Sequence, residues 1–349
     1  MPGLRGRWAL LVPLVLLGLA IVLLWWRGPE WGIVRGAFRR VAWEWVAVAV
    51  GLNLLSVGAR ALSWNTALGQ AIPPPHPRFR YVFSAFSIGL LANAVLPGRV
   101  GELARVAVLS RRVEGDAATA WPTLLGSVFA HRVFDLFPGL LLVTWVLTSA
   151  ELPHWAVTSI VTVSCIGFAL FAFAWVSARR HDSRPVEERG ALRTLIVRAR
   201  IGLGVMRAPM PAAIAATCQV AGWALQLFAV WAVMRAFDIH LPFVVAGLVL
   251  VLINIATIFP LWPGNVGLVQ AAVALPLVSY GVPYGVGFAF GIGLQAVEAF
   301  VGIGLGLIFL AREGISYATL KQMPQAIEDE ERLLEAVEER EHARARLPG

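Results

Sequence analysis

The sequence predicts an all-α protein that crosses a membrane several times. Three observations carry that prediction. Of 349 residues, 58% are hydrophobic and only 14% are charged, where soluble domains carry about 25% charged residues. Apolar runs such as Trp8 to Trp26 reach the length of about 20 residues that a membrane helix needs. The same short pattern also interrupts apolar sequence twice. It reads Leu96-Pro97-Gly98-Arg99-Val100-Gly101-Glu102-Leu103, then Trp262-Pro263-Gly264-Asn265-Val266-Gly267-Leu268-Val269. Pro-Gly followed by a third-position Gly cannot continue a regular helix, so it ends one apolar helix and starts another. In hydrocarbon such a break leaves backbone groups unpaired and persists only where protein or a polar cavity lines it. Two breaks in corresponding positions of two halves point to a transport site.

Taken in chain order, full spans are predicted at 8–26, 41–66, 119–149, 152–178, 210–236 and 284–311, with broken segments at 80–112 and 242–281. Arg5 and Arg7 before the first run invite a signal-peptide reading. The run is too long for that and lacks a small-x-small site before Trp25-Trp26, so a retained helix with an aromatic interface anchor is expected. In the first broken segment the arm Val100 to Leu109 is too short to cross, which favours a re-entrant hairpin over a single crossing helix. The second, with arms Pro242 to Phe259 and Gly264 to Tyr280, reads as a hairpin or as two short spans.

Orientation follows from basic residues in the loops. The stretch Arg179 to Arg207 holds eight Arg and is expected in the cytoplasm, as is the charged tail after Arg312. The loop Glu151 to His154 has no Lys or Arg and is expected outside. Counting spans from these anchors gives an inverted repeat of three spans plus one broken hairpin per half. Residues 1–150 form the first repeat with hairpin 80–112. Residues 151–312 form the second, with cytoplasmic loop 179–209 and hairpin 242–281, and the two hairpins are expected to meet near the midplane. Residues 313–349 form a charged cytoplasmic helical tail. One loop conflicts: 27–40 carries Arg27, Arg35, Arg39 and Arg40 yet falls outside. Either it forms an interfacial amphipathic helix or the span count is off by one. In the tail, Leu333, Leu334 and Val337 make an apolar stripe too short for a zipper, so a solvated helix is expected.

The net charge of +8 sits at helix ends and in one loop, a distribution that membrane topology explains without nucleic acid. Cys165 and Cys218 lie in apolar runs and suggest neither a disulfide framework nor a zinc site. No metal-ligand spacing and no organic cofactor motif is present. The Ala-, Gly- and Arg-rich composition suggests a bacterial chain, hence a multi-pass protein of the cytoplasmic membrane.

Ionisable groups inside spans are costly and are functional suspects by default. The first break offers Asn93, Arg99, Glu102 and Arg105. Glu102 and Arg105 are one turn apart and able to pair, while Arg99 and the helix N-terminus form an anion site suited to phosphate. The plainer reading is that these charges end a short helix at the interface. The next span holds His131, Arg132 and Asp135. Arg132 and Asp135, at i and i+3, make either a structural ion pair or, with His131, a proton-uptake site. The second break offers Asn254, Asn265 and Gln270, which cap broken ends or bind headgroups. The last span holds Gln295 and Glu298 in a Gly-rich helix with Gly287, Gly291, Gly293, Gly302, Gly304 and Gly306, where small residues permit close helix packing. Glu298 is a second candidate for proton coupling. Arg60 reads as an interface snorkel.

The stretch Asn93-Ala-Val-Leu-Pro97-Gly98-Arg99-Val-Gly101-Glu102-Leu-Ala-Arg105 resembles the signature of the lysylphosphatidylglycerol synthase transmembrane family. Arg60 to Trp64, the Arg132–Asp135 pair and Pro263-Gly264-Asn265-Val266-Gly267 fit the same resemblance, which covers roughly residues 8–312. It implies a flippase-like membrane protein that moves a phospholipid or lipid-linked headgroup across the cytoplasmic membrane and is not an enzyme. Fused members carry an aminoacyl-transferase domain. Only a short charged tail follows Arg312 here, so a standalone member is expected. Two departures stand out: the family often has Glu where Gln270 stands, and often Ala where Gly98 stands. The implied substrate site comprises Asn93, Pro97, Gly98, Arg99, Gly101, Glu102, Arg105, Arg132, Asp135, Pro263, Gly264, Asn265, Gly267 and Gln270. The implied partner is an anionic or aminoacylated phospholipid, or a polyprenyl-linked lipid. The alternative, from another class, is a membrane accessory protein that binds such a lipid for a partner enzyme.

Overall fold

The computed structural model describes residues 29–96, 100–113, 117–150, 208–257 and 265–314, with isolated positions at 18, 157–158, 161–162, 165–167, 169, 172 and 205. The spans expected at 8–26 and 152–178, most of loop 179–209 and the tail beyond 314 lie outside the described residues. All regular structure among the described residues is helical, so the fold is all-α.

Helix α1 is Trp31–Arg39, α2 Trp43–Ala71, α3 Phe79–Val95, α4 Gly101–Ser110, α5 Ala117–Ser149, α6 Pro209–Ala236, α7 Phe243–Ala256, α8 Leu268–Ser279 and α9 Tyr284–Arg312. The short α1 is the amphipathic helix expected in the 27–40 loop: Val34 is buried while Arg35 and Arg39 are exposed. Among the described residues four helices, α2, α5, α6 and α9, are long and apolar enough to cross a membrane. At about 1.5 Å per residue each exceeds a hydrocarbon core of about 30 Å. They coincide with the spans predicted at 41–66, 119–149, 210–236 and 284–311. Helix α2 runs on to Ala71, just ahead of the Pro73-Pro74-Pro75 run, which no helix can enter.

The four remaining helices have 17, 10, 14 and 12 residues and are too short to cross singly. Helix α3 stops because Leu96, held between Val95 and Pro97, is extended at φ −95°, ψ 142°, the conformation that a following proline imposes. Helix α4 then folds back along α3. Asn93 lies against Gly101, and Gly89 against Arg105. This antiparallel pairing decides the first broken segment in favour of a hairpin over one continuous crossing helix. Helices α7 and α8 also pack against each other.

The chain forms two compact units. One comprises residues 1–53, 142–161 and 227–299. Met234, Leu248, Leu250, Leu277 and Phe290 are fully buried in its core. The α9 glycines bring helices close there: a Cβ on Gly287 would lie 3.0 Å from the Ala274 backbone, and one on Gly291 would lie 3.1 Å from that of Gln270. The other unit comprises 54–141, 162–226 and 300–349, with Trp64, Leu68, Ile88, Leu91, Leu109 and Leu124 fully buried. Ser56 and Ser63 tie α2 to α6 by donating to the carbonyls of Gly222 at 2.7 Å and Ala215 at 2.9 Å. Leu55, Phe129, Leu141, Phe300 and Leu307 are exposed on the long helices, as side chains facing lipid must be.

Candidate functional site

The charged residues of the first break and of α5 come together in the second unit. Helix α4 starts at Gly101, and a Cβ there would lie 2.1 Å from the Gly89 carbonyl oxygen and 2.5 Å from Asn93 Cγ. Only glycine lets the two arms of the hairpin approach this closely. That approach brings the Asn93 side-chain oxygen to the Gly101 N–H, which donates to it at 2.8 Å. One orphan N–H at the start of α4 is thereby satisfied from within the protein, and is not free for a ligand.

Glu102 and Arg105 do not pair. The Glu102 carboxylate instead accepts from the Arg132 guanidinium of α5. Arg132 also donates to Asp135 at 3.1 Å, so one guanidinium bridges two carboxylates. Asp135 accepts further from the Gln219 amide and, at 3.0 Å, from the Trp223 indole N–H. Arg60 donates to Gln226 and stacks over the Trp223 ring at 5.5 Å. It is thus an integral member of this network and not the interface snorkel its position suggested. The absence of a side chain at Gly222 makes room: a Cβ there would meet Arg60 Cγ at 2.8 Å.

Arg105 occupies the closed side of the cluster. It is 4% exposed, with its guanidinium 4.9 Å from the Trp64 ring centre and 5.5 Å from that of Phe86. Such stacking contributes about 0.5–2 kcal/mol, less than the cost of burying an unpaired charge. His131 is buried edge-on to Phe86 at 5.8 Å. Trp64 is fixed by donating to Ser127 at 3.1 Å. Arg132, by contrast, has 48% of its side chain exposed. The cluster therefore opens to the surface at Arg132 and closes at Arg105.

Several buried polar atoms in the cluster have no hydrogen-bond partner among the described residues: Arg105 Nε and Nη2, Glu102 Oε2, His131 Nδ1 and Gln219 Oε1. Nε and Nη2 form one side edge of the guanidinium fork, the edge that grips two oxygens of a phosphate or carboxylate at once. Among the described residues, three arginines, Arg60, Arg105 and Arg132, gather with two carboxylates, Glu102 and Asp135. Buried charge of this kind suits an anion. Pro97, Gly98 and Arg99 lie outside the described residues, as do Pro263 and Gly264.

The second break lies in the first unit and holds no charge. Asn265, at φ 45°, donates to the Ala256 carbonyl at 2.9 Å and so closes the end of α7. Gly267 has φ 91°, a conformation that favours glycine. Its N–H donates to Gln270 Oε1 at 2.5 Å, while Gln270 Nε2 donates to Gln295 at 2.6 Å. Asn254 donates to Leu250 of its own helix at 2.8 Å. Asn265 and Gln270 thus cap the broken ends, while Asn254 bonds back within α7. Glu298 is half-buried on α9 in the same unit.

Sequence reasoning missed Gln219, Trp223 and Gln226. The signal was present: polar-tipped residues at i, i+4 and i+7 mark one face of an apolar helix. Among the described residues no three His, Cys, Asp or Glu side chains gather as a metal site.

Residues 10–306 match the family described as "Lysylphosphatidylglycerol synthase TM region". The chain belongs to this family. A curated relative, "UPF0104 membrane protein" of Methanothermobacter thermautotrophicus, is 24% identical over 288 residues, which cover 77% of this chain and 82% of the relative. No solved structure matches the chain significantly. The protein is accordingly a multi-pass membrane protein of the lysylphosphatidylglycerol synthase transmembrane family.

Proposed function

We propose that the protein moves a lipid across the cytoplasmic membrane, with the phosphate of the headgroup held by the arginine cluster of the second unit. The observation that carries this reading is the side edge of the buried Arg105 guanidinium, which has no hydrogen-bond partner among the described residues. An empty edge of this kind costs about 1–3 kcal/mol, which a bound phosphate would return. Arg132, exposed at the mouth, is the side chain an entering headgroup meets first. Its two carboxylate partners hold it in reserve. Lipid tails remain in the bilayer, against the exposed apolar side chains of the long helices, so only the headgroup needs a polar path. On this reading the protein is a transporter and not an enzyme. The two Pro-Gly breaks belong to an inverted repeat of residues 1–150 and 151–312, and His131 and Glu298 are the groups available for proton coupling.

Translocation of fluorescent phospholipids in proteoliposomes tests it. Wild type is compared with Arg105→Lys, which keeps the charge but loses the fork, and with Glu102→Gln. The expected outcome is translocation of an anionic lipid by wild type and a loss of about tenfold or more in both variants. Folded wild-type protein that translocates no lipid, phospholipid or polyprenyl-linked, would overturn the reading and leave an accessory role beside a partner enzyme.

A further inference from the structure

A second group of arginines gathers at the base of the first hairpin, where α3 begins and α4 ends beside the last turn of α9. Arg80 and Arg112 lie over one ring, that of Tyr81, at 4.6 and 4.7 Å. Arg80 also donates to the Tyr81 hydroxyl at 2.6 Å. Arg112 donates to the Glu313 carboxylate at 2.8 Å, and Ser84 donates to the same carboxylate at 3.0 Å. Arg78, Arg111 and Arg312 are their neighbours in the chain, and all five arginines are exposed. Every one of these residues belongs to the second unit.

Among the described residues this collar holds five arginines and one carboxylate, Glu313. Glu114 and Asp116 follow Arg112 closely in the sequence and lie outside the described residues. Even with both turned onto the collar, arginine stays in excess. Membrane orientation accounts for positive charge at the end of a span. It does not bring two guanidinium groups onto one ring, where like charges repel. Stacking on Tyr81 and the bond to Glu313 hold them there. The collar is therefore a preformed surface for an extended anion.

The sequence supplies such an anion. Residues 328–341, outside the described residues, contain eight acidic residues and two arginines. At helical spacing, Glu328, Glu331, Glu335 and Glu338 share one face. The tail leaves α9 at Gly314, whose φ of 65° ends the helix, one residue beyond Glu313 and so at the collar itself. The 13 residues 315–327 reach about 45 Å when extended, ample for a surface that begins at their point of attachment. Tethering of this kind gives an effective concentration of about millimolar order. An anionic membrane surface is the rival occupant. It attracts the arginines but repels the acidic segment, which drives that segment towards the collar.

We propose that the acidic segment 328–341 docks on the arginine collar at the base of the α3–α4 hairpin, as an electrostatic clasp within the chain. The clasp fastens the C-terminal tail to the hairpin. It also occupies charges that would otherwise attract anionic lipid at that face. The inference stands apart from the lipid-translocation reading and does not rest on it.

The test uses the full chain with Cys165→Ser and Cys218→Ser, spin-labelled at Val113→Cys and Ala336→Cys, in phosphatidylcholine vesicles. Label-to-label distances are read at low salt and at about 1 M salt, where the screening length falls to about 3 Å. We expect a short, narrow distance distribution at low salt and loss of most of it at high salt. Arg80→Gln with Arg111→Gln should remove most of the short component. Glu331→Gln with Glu335→Gln and Glu338→Gln should do the same while changing no residue of the described helices, so misfolding of those helices does not mimic the result. A distribution that is broad at every salt concentration overturns the proposal. So does a short one that neither salt nor either variant alters. A Val113 label immobilised only when phosphatidylglycerol is added, with no short component in phosphatidylcholine, also overturns it and assigns the collar to the membrane.

Discussion

The two Pro-Gly breaks share a backbone device and use it for opposite ends. At the first, the final glycine of the pattern is needed for space: Gly101 sits against the Gly89 carbonyl and Asn93. At the second, the same position is needed for conformation, since Gly267 adopts φ 91°. The side chains diverge further. Asn265 and Gln270 turn inward onto Ala256, Gly267 and Gln295. Around the first break, Arg105, Glu102 and Gln219 retain buried atoms without hydrogen-bond partners among the described residues. The pattern specifies a broken helix, and the residues beside it decide whether the break is sealed or left chemically hungry. A sealed break supports structure; an unsealed one is where a ligand gains something by binding.

The glycines give the sharpest way to break this comparison. Gly101→Ala must push the arms of the hairpin apart against backbone, at a cost of about 3 kcal/mol or more. Gly267→Ala must hold alanine in a left-handed conformation, at about 1–2 kcal/mol. Thermal unfolding in detergent should show the first variant losing the folded state or most of its Tm margin, and the second a moderate decrease. Equal losses would mean that both glycines serve conformation and that the close approach at Gly89 is incidental.

Next in size is the contrast between charge and amide. Asp135→Asn leaves Arg132 short of a carboxylate and weakens what Gln219 and Trp223 donate to, so a loss of about 3 kcal/mol is expected. Gln270→Leu removes one cap and one amide contact from the second break, for about 1–2 kcal/mol. Transport should separate them more clearly than stability: Asp135→Asn abolishes translocation, whereas Gln270→Leu retains it in whatever protein remains folded. Loss of transport in folded Gln270→Leu would place the second break in the substrate path.

How much of this was legible in the sequence depends on the range of the interaction. The end of α3 was legible because proline acts on its immediate neighbour, as Leu96 ahead of Pro97 shows, whereas α2 runs past the predicted end at 66 to Ala71. The Arg132–Asp135 pair was legible because i, i+3 spacing fixes proximity within one helix. The Glu102–Arg105 pair, inferred by the same rule, did not form. Arg132 arrives from another helix and takes one oxygen of the Glu102 carboxylate, while the Arg105 guanidinium stacks on Trp64 and Phe86. Nothing local announces that. Arg60 was misjudged for the same reason, because its partners Trp223 and Gln226 lie far along the chain. Their face on α6 was visible as a polar i, i+4, i+7 stripe, but the stripe does not say what it faces. Side chains joined across helices are the part of the site that periodicity cannot supply.

The smallest predicted effect bears directly on whether the second break is only structural. Asn254 is a polar residue in the apolar helix α7, next to the break, and it looked like a ligand candidate in the sequence. Its amide donates to the Leu250 carbonyl one turn back in the same helix. That carbonyl belongs to the helical backbone, so the side chain adds a second bond to an acceptor with two lone pairs. Asn254→Ala therefore removes a redundant contact and gains helix propensity. The net change should lie within about 0.5 kcal/mol, with Tm and translocation rate both unchanged within error. A variant that folds normally but moves lipid several-fold more slowly would show that Asn254 turns away from Leu250 during transport. In that case the second break would share the work of the first, and the asymmetry between them would belong to the resting state alone.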